Sequence, residues 1–271
     1  MEIMIRKPWE GYMEPFCICG NLYFVGNRYV SSHVIDTGEG LILLDSNYPQ
    51  CTYLVTEGMR KIGLDPADIK FILHSHGHYD HIGGTRALVA LTGAKTIIGR
   101  LDAAYANGSV DLTWARELGD AYYEMFEPDI LLDDGDVFKF GKTEIRAVNT
   151  PGHTPGTMSF FFNVEDGDKQ YIAAMFGGAG VNSMTREFLE SYGLPLSYRD
   201  VFPQSLEKVR GEKVDIAIGN HPGDVDTAGK YERMKNEGVN PFIDPTAWGK
   251  RLDYCKKQFD EMIAAEKECK R

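Results

Sequence analysis

The chain predicts an α/β fold: a four-layer αβ/βα sandwich, with two mixed β-sheets face to face and helices on the outer faces. Three observations lead there. The elements run strands, helix, strand, helix, strand, and then strands, helices, strand, helix, a mirrored order that suits two packed sheets. No linker or strong repeat separates the halves, so residues 1–271 read as a single domain. The chain's 271 residues, 43% of them hydrophobic, are ample for one large core.

The first half opens with short strands. Ile18 to Val25 reads as a strand closed by Gly26-Asn27, and Tyr29 to Asp36 alternates up to the turn Thr37-Gly38-Glu39-Gly40. Leu41 to Leu44 is a buried strand ending at Asp45. Turn residues between these runs predict antiparallel pairing. Cys51 to Ile62 reads as a helix stopped by Gly63, and Ile69 to Leu73 as the next strand. A helix over Ile82 to Leu91 and a strand over Ala94 to Ile98 follow. Arg100 to Pro128 has helical character and many aromatics, among them Tyr105, Trp114, Tyr122, Tyr123 and Phe126.

Past Asp133-Asp134-Gly135-Asp136 the strand pattern returns, over Val137 to Phe140, Thr143 to Val148, Thr157 to Val164 and Tyr171 to Met175. Helices are predicted over Ser183 to Tyr192 and Tyr198 to Val209, then a last strand over Val214 to Ile218. From Pro245, the residues Trp248, Leu252, Cys255, Phe259, Met262 and Ile263 fall at helical spacing, the stripe of a packing surface.

Charge and cysteine content narrow the function classes. A net charge of −11 argues against nucleic-acid binding, which needs clustered Lys and Arg. The five cysteines (Cys17, Cys19, Cys51, Cys255 and Cys269) match no zinc-knuckle or redox spacing. They read as reduced thiols used as small apolar residues, with Cys17 and Cys19 on one face of a strand. No stretch reaches the ~20 apolar residues of a membrane span, and residues 1–16 lack an apolar run of signal-peptide length. The expectation is a cytoplasmic protein with a small-molecule substrate and neither nucleic-acid nor membrane partners.

The histidines carry the chemistry. His76, His78, Asp80 and His81 form a His-x-His-x-Asp-His run directly after a strand. His153 sits in Thr150-Pro151-Gly152-His153-Thr154-Pro155-Gly156, and His221 in Gly219-Asn220-His221-Pro222-Gly223. In extended backbone, residues i and i+2 point the same way, so His76 and His78 can face one metal. His153 would complete that site. Asp80 and His81, at a helix start, can swing to a second metal that His221 completes. Three histidines plus solvent is an open, catalytic type of zinc site. His33 and His74 read as structural residues.

This pattern resembles the metallo-β-lactamase superfamily, in which His-x-His-x-Asp-His is followed by Gly-His-Thr-x-Gly and a late lone His. The likeness extends over nearly the whole chain. It is greatest to the β-lactamase subclass with a three-His first zinc site and an Asp-His-His second site. The resemblance implies the metallo-β-lactamase fold and a dinuclear zinc hydrolase, in which Asp80 orients a metal-bridging hydroxide that opens a cyclic amide. A lactone, ester or thioester hydrolase is the alternative within the superfamily, with iron or manganese as alternative metals. An iron redox protein and a non-catalytic metal-binding protein are the readings from other classes. The resemblance also supports Asp45 as a hydrogen-bond acceptor for a ligand histidine, with Thr154 supporting His153 by hydrogen bonding.

Two departures stand out. Glyoxalase II, many lactonases and the nuclease branches carry a bridging Asp where this chain has Phe176-Gly177-Gly178-Ala179-Gly180. The same glycines replace the serine hydroxyls with which the β-lactamase subclass holds a drug carboxylate. Substrate walls are expected from Arg100 to Pro128 and from Gly177 to Tyr198, including Phe188, Tyr192 and Tyr198. Arg186 and Arg199 are the candidate carboxylate clamps.

Overall fold

A computed structural model describes residues 6–119 and 121–268. Two sheets contain the strands. The first runs in the order β1 (Phe16–Cys19), β2 (Leu22–Phe24), β3 (His33–Asp36), β4 (Leu41–Leu44), β5 (Ile69–Leu73), β6 (Lys95–Gly99) and β7 (Ile130–Leu132). Neighbours are antiparallel up to β4 and parallel from β4 to β7. The second contains β8 (Val137–Phe140), β9 (Thr143–Asn149), β10 (Met158–Asp166), β11 (Lys169–Met175) and β12 (Ile216–Ile218). There, only β11 and β12 pair in parallel. Both sheets are mixed.

The two-residue period of the strands sorts side chains into layers. Ile42, Leu44 and Leu73 of the first sheet meet Phe160, Phe162, Ala173, Met175 and Ile216 of the second in one core. Their alternates face outward: Leu43 and Ile72 pack with Val55 and Met59 of helix α1 (Thr52–Lys61). Phe161, Ala174 and Ala217 pack with Leu206, Trp248, Leu252 and Phe259 of the C-terminal helices. The result is helix, sheet, sheet, helix, the four layers that the mirrored order predicts.

Several elements differ from expectation, each for a local reason. The strand predicted over Ile18 to Val25 is a hairpin, because Gly20 adopts φ +50° and turns the chain between β1 and β2. A register shift between Cys17 and Cys19 sends them to opposite faces, one exposed and one buried. The helix predicted over Ile82 to Leu91 is two helices, α2 (Tyr79–Ile82) and α3 (Thr85–Thr92), broken at Gly83-Gly84. Arg100 to Pro128 is mainly loop, with one α-helical turn, α4 (Ala103–Ala106). Its aromatic residues form no helical stripe: Tyr105 and Phe126 are buried, whereas Tyr122 is exposed. Strand β7 and a helix over Thr227–Glu237 had no counterpart in the expected pattern. Cys269 lies outside the described residues. No helix among them is long and apolar enough to cross a membrane.

Phe160 is fully buried between the sheets. Phe160→Ala should cost about 3–5 kcal/mol in urea unfolding, as for a large core truncation. A loss below about 1 kcal/mol would contradict a core shared by both sheets.

Candidate metal centre

Strands from both sheets deliver the polar residues to one rim. His76 and His78 follow the C-terminal end of β5, His153 follows β9, and His221 follows β12. The chain brings these into two groups, His76-His78-His153 and Asp80-His81-His221. In each group the donor atoms lie within 4.8 Å of one another. The groups adjoin, with the His76 and His81 rings 4.2 Å apart.

Neighbouring acceptors fix the tautomers. A carbonyl oxygen only accepts, so a ring nitrogen bonded to it carries the hydrogen. His153 Nδ1 donates to Gly180 O at 2.6 Å, and His221 Nδ1 to Tyr29 O at 2.7 Å. His81 Nδ1 donates to Asp45 Oδ2 at 2.8 Å. Ser75 Oγ donates to that same oxygen at 2.8 Å and lies 3.0 Å from His76 Nδ1, so it accepts from that ring. Each of these rings therefore keeps Nε2 for the site.

Those nitrogens show that a metal fits. Nε2 of His76 and Nε2 of His81 are buried and have no hydrogen-bond partner. Leaving His76 Nε2 unpaired costs about 1–3 kcal/mol, which coordination would return. Asp80 Oδ2 lies 3.3 Å from His81 Nε2 and 3.7 Å from His221 Nε2, placing a carboxylate among the second group.

Electrostatics distinguish the groups. Burial, reinforced by the surrounding imidazoles, holds His76 and His78 well below the ordinary histidine range. Burial lowers His153 to about 4 against the bond to Gly180. Burial also acts to lower His81, but Asp80 and Asp45 outweigh it and push this group up to about 10. Asp80 falls below the usual carboxylate range because His81 and His221 outweigh its burial.

Asp45 is placed as expected, in a left-handed conformation at φ 59° that turns its carboxylate under the histidine run. Thr154 is not. Its hydroxyl donates to Asp102 Oδ2 at 2.6 Å, and His153 is held instead by Gly180 and Ser183. His74 is structural: its ring nitrogens contact His81 O and Thr85 Oγ1 at 3.2 Å each. His33 is buried in β3, edge-on to Phe24.

A cleft of about 610 Å³ opens over both groups. Tyr29, Tyr48, Trp114 and Leu118 line it together with Gly178, Ala179, Gly180 and Asn182. Trp114, at φ 69°, reaches the cleft, and Phe188 stacks behind it at 4.9 Å, with Tyr192 behind Phe188. Arg186 and Arg199 are not clamps. Arg199 forks onto Glu266 at 2.8 and 2.7 Å, and Arg186 pairs with Glu190. The C-terminal helix (Ala247–Glu268) instead brings Arg251, Tyr254 and Gln258 to the cleft. Their i, i+3, i+7 spacing marks one helix face, although nothing local in the sequence assigns that face to the site.

Two packed sheets with two adjoining histidine-rich donor groups at their rim define a scaffold built to hold a pair of metals. The chain belongs to the metallo-beta-lactamase superfamily, whose family model matches residues 25–167. BJP-1, a subclass B3 metallo-beta-lactamase of Bradyrhizobium japonicum, is similar with a TM-score of 0.87 and 30% identity, over 98% of this chain and 99% of that one. FEZ-1, a metallo-beta-lactamase from Legionella gormanii, gives 0.85 and 28%, over 95% and 98%. An N-acyl homoserine lactonase of a Bacillus species is 25% identical over 156 residues, 49% of this chain and 58% of the relative. An uncharacterized Aquifex aeolicus protein is 34% identical over 85 residues, 31% of this chain and 39% of the relative. The chain thus spans about half the length of these curated relatives.

The protonation states predict unequal proton release. At pH 7 the three-histidine group is neutral and the metal-free His81 is charged. Metal binding to the Asp80 group should expel about one proton and weaken as pH falls, whereas the three-histidine group should release none. Calorimetry in two buffers of different ionisation enthalpy, with His221→Ala and His78→Ala isolating the groups, measures this. Equal release from both would contradict the assignment.

Proposed function

We propose that the protein is a dinuclear zinc hydrolase of small molecules, with His76, His78 and His153 holding one metal and Asp80, His81 and His221 the other. The observation that carries this reading is the pair of adjoining donor groups, with His76 Nε2 buried and unpaired in one and Asp80 set between His81 and His221 in the other. Bound there, two divalent metals supply Lewis acidity and a hydroxide nucleophile at neutral pH.

The chain's own residues set the rest. Asp80 keeps a carboxylate oxygen to accept a hydrogen bond from the nucleophile and so orient it. Asp45 fixes His81 directly and His76 through Ser75. Trp114, Leu118 and Tyr48 give the cleft an apolar side that excludes water from the reacting bond. Both sheets contribute to both donor groups, so we treat residues 1–271 as one catalytic domain.

The substrate bond is a cyclic amide of the β-lactam type, a reading supported by the near-complete overlay on two metallo-beta-lactamases. Opening of a lactone, or of another ester or thioester, is the second reading. Gly178, Ala179 and Gly180 bring no hydroxyl to the cleft, and the hydroxyl of Ser183 is spent on His153 O at 2.7 Å. The lactonase likeness points the same way.

Zinc-loaded protein should hydrolyse a chromogenic cephalosporin, and a chelator should stop it. His78→Ala and Asp80→Ala should each lower turnover by at least about 100-fold, the scale of a lost transition-state contact, with circular dichroism unchanged. Full activity in either variant would refute the site. Zinc uptake without cephalosporin turnover, but with hydrolysis of an acyl homoserine lactone, would select the second reading.

A further inference from the structure

Asp45 supports a ring in each donor group, His81 directly and His76 through Ser75, whereas a second carboxylate bonds beside the three histidines of one group without touching any candidate ligand. Asp102 follows β6 and is completely buried. Its Oδ2 accepts from Gly77 N–H at 2.7 Å and from Thr154 O–H at 2.6 Å, and its Oδ1 accepts from Gly156 N–H at 2.6 Å. Gly77 lies between His76 and His78, and Thr154 follows His153. One carboxylate therefore ties together the two loops that supply all three histidines of the first group.

The surroundings are shaped for this contact. A Cβ on Gly156 would sit 2.6 Å from Asp102 Oδ1, and one on Gly77 would sit 2.6 Å from Tyr105 Cβ and 3.4 Å from Asp102 Cβ. Both N–H groups reach the carboxylate because neither residue has a side chain. Thr154 Oγ1 is further fixed by Thr157 Oγ1 at 2.7 Å. No comparable bond joins Asp102 to Asp80, His81 or His221; Asp45 holds His81 and Tyr29 O holds His221.

Resting on the two-metal reading above, we infer that Asp102 is a positioning residue for the three-histidine site alone, setting its metal affinity without affecting the Asp80-His81-His221 site. Removing a direct hydrogen-bond partner of a metal ligand typically weakens binding 10–100-fold, and Asp102, one contact further out, is expected at the lower end, about 10-fold. Here that loss falls on one metal of the pair, so the Asp102 variant becomes a one-metal protein at limiting zinc.

The test measures zinc affinity by competition with a chromogenic chelator, together with visible spectra of the cobalt-substituted protein. Asp102→Asn is placed in two backgrounds, His221→Ala, where only the three-histidine group is complete, and His78→Ala, where only the Asp80 group is. The expected result is an about 10-fold weaker metal site and an altered cobalt spectrum in the first background, with neither change in the second. Thr154→Val, which removes a single donor, should shift affinity in the same direction by less. It serves as the decisive variant if Asp102→Asn fails to fold. Unchanged affinity in the first background, or equal losses in both, overturns the inference. A wild-type protein that takes up two zinc ions yet hydrolyses nothing would refute the proposed function while leaving this inference standing. A wild-type protein that binds no metal would refute both.

Discussion

Imidazole nitrogens that are desolvated but unpaired are the constraint on which the rest of the rim depends. Nε2 of His76 and of His81 are buried without a hydrogen bond, His76 having no partner and His81 only the nearby Asp80 carboxylate, a state that folding alone disfavours. The surroundings accept this cost by fixing the opposite nitrogen. Gly180 O, Tyr29 O, Asp45 and Ser75 each hold an Nδ1 and so select the tautomer that leaves Nε2 available. Acceptors from three other segments, with Ser75 beside His76, converge on rings from three segments, which explains why two sheets must pack before either donor group exists.

The histidine run was readable because its spacing is chemical. Two residues apart in extended backbone gives one face, and the following helix start swings Asp80 and His81 aside. The layered fold was readable from alternation, as in β10, where Phe160 and Phe162 face the inner core and Phe161 the outer helices. Asp45 could be anticipated because it ends a strand beside the run. Asp102 could not. It lies 25 residues from Gly77 and 54 from Gly156, and only the fold brings them together. The same holds for Arg251, Tyr254 and Gln258, which sit on a helix whose apolar stripe suggests packing alone. Arg100 to Pro128 misled because aromatic density resembles helical content, whereas its aromatic residues form no helical stripe.

The cleft is asymmetric, and that bears on substrate choice. One side is aromatic, with Trp114 held in a left-handed conformation and backed by a stack through Phe188 to Tyr192. The other carries polar groups of the C-terminal helix. Asp224 links that side to the metal rim: one oxygen pairs with Arg251 at 2.6 Å, and the other accepts the backbone N–H of His221 at 3.2 Å. Arg251 thus lies two contacts from His221 of the second group. The segment between Phe176 and Val181, three glycines and an alanine, brings no side-chain hydroxyl to the cleft.

Anomalous diffraction at the zinc edge from crystals of zinc-loaded protein would locate the metals proposed for this rim. Two peaks are expected about 3.5–4 Å apart, one among His76, His78 and His153 and the other among Asp80, His81 and His221. A single peak, or peaks coordinated by other residues, would overturn the two-metal assignment.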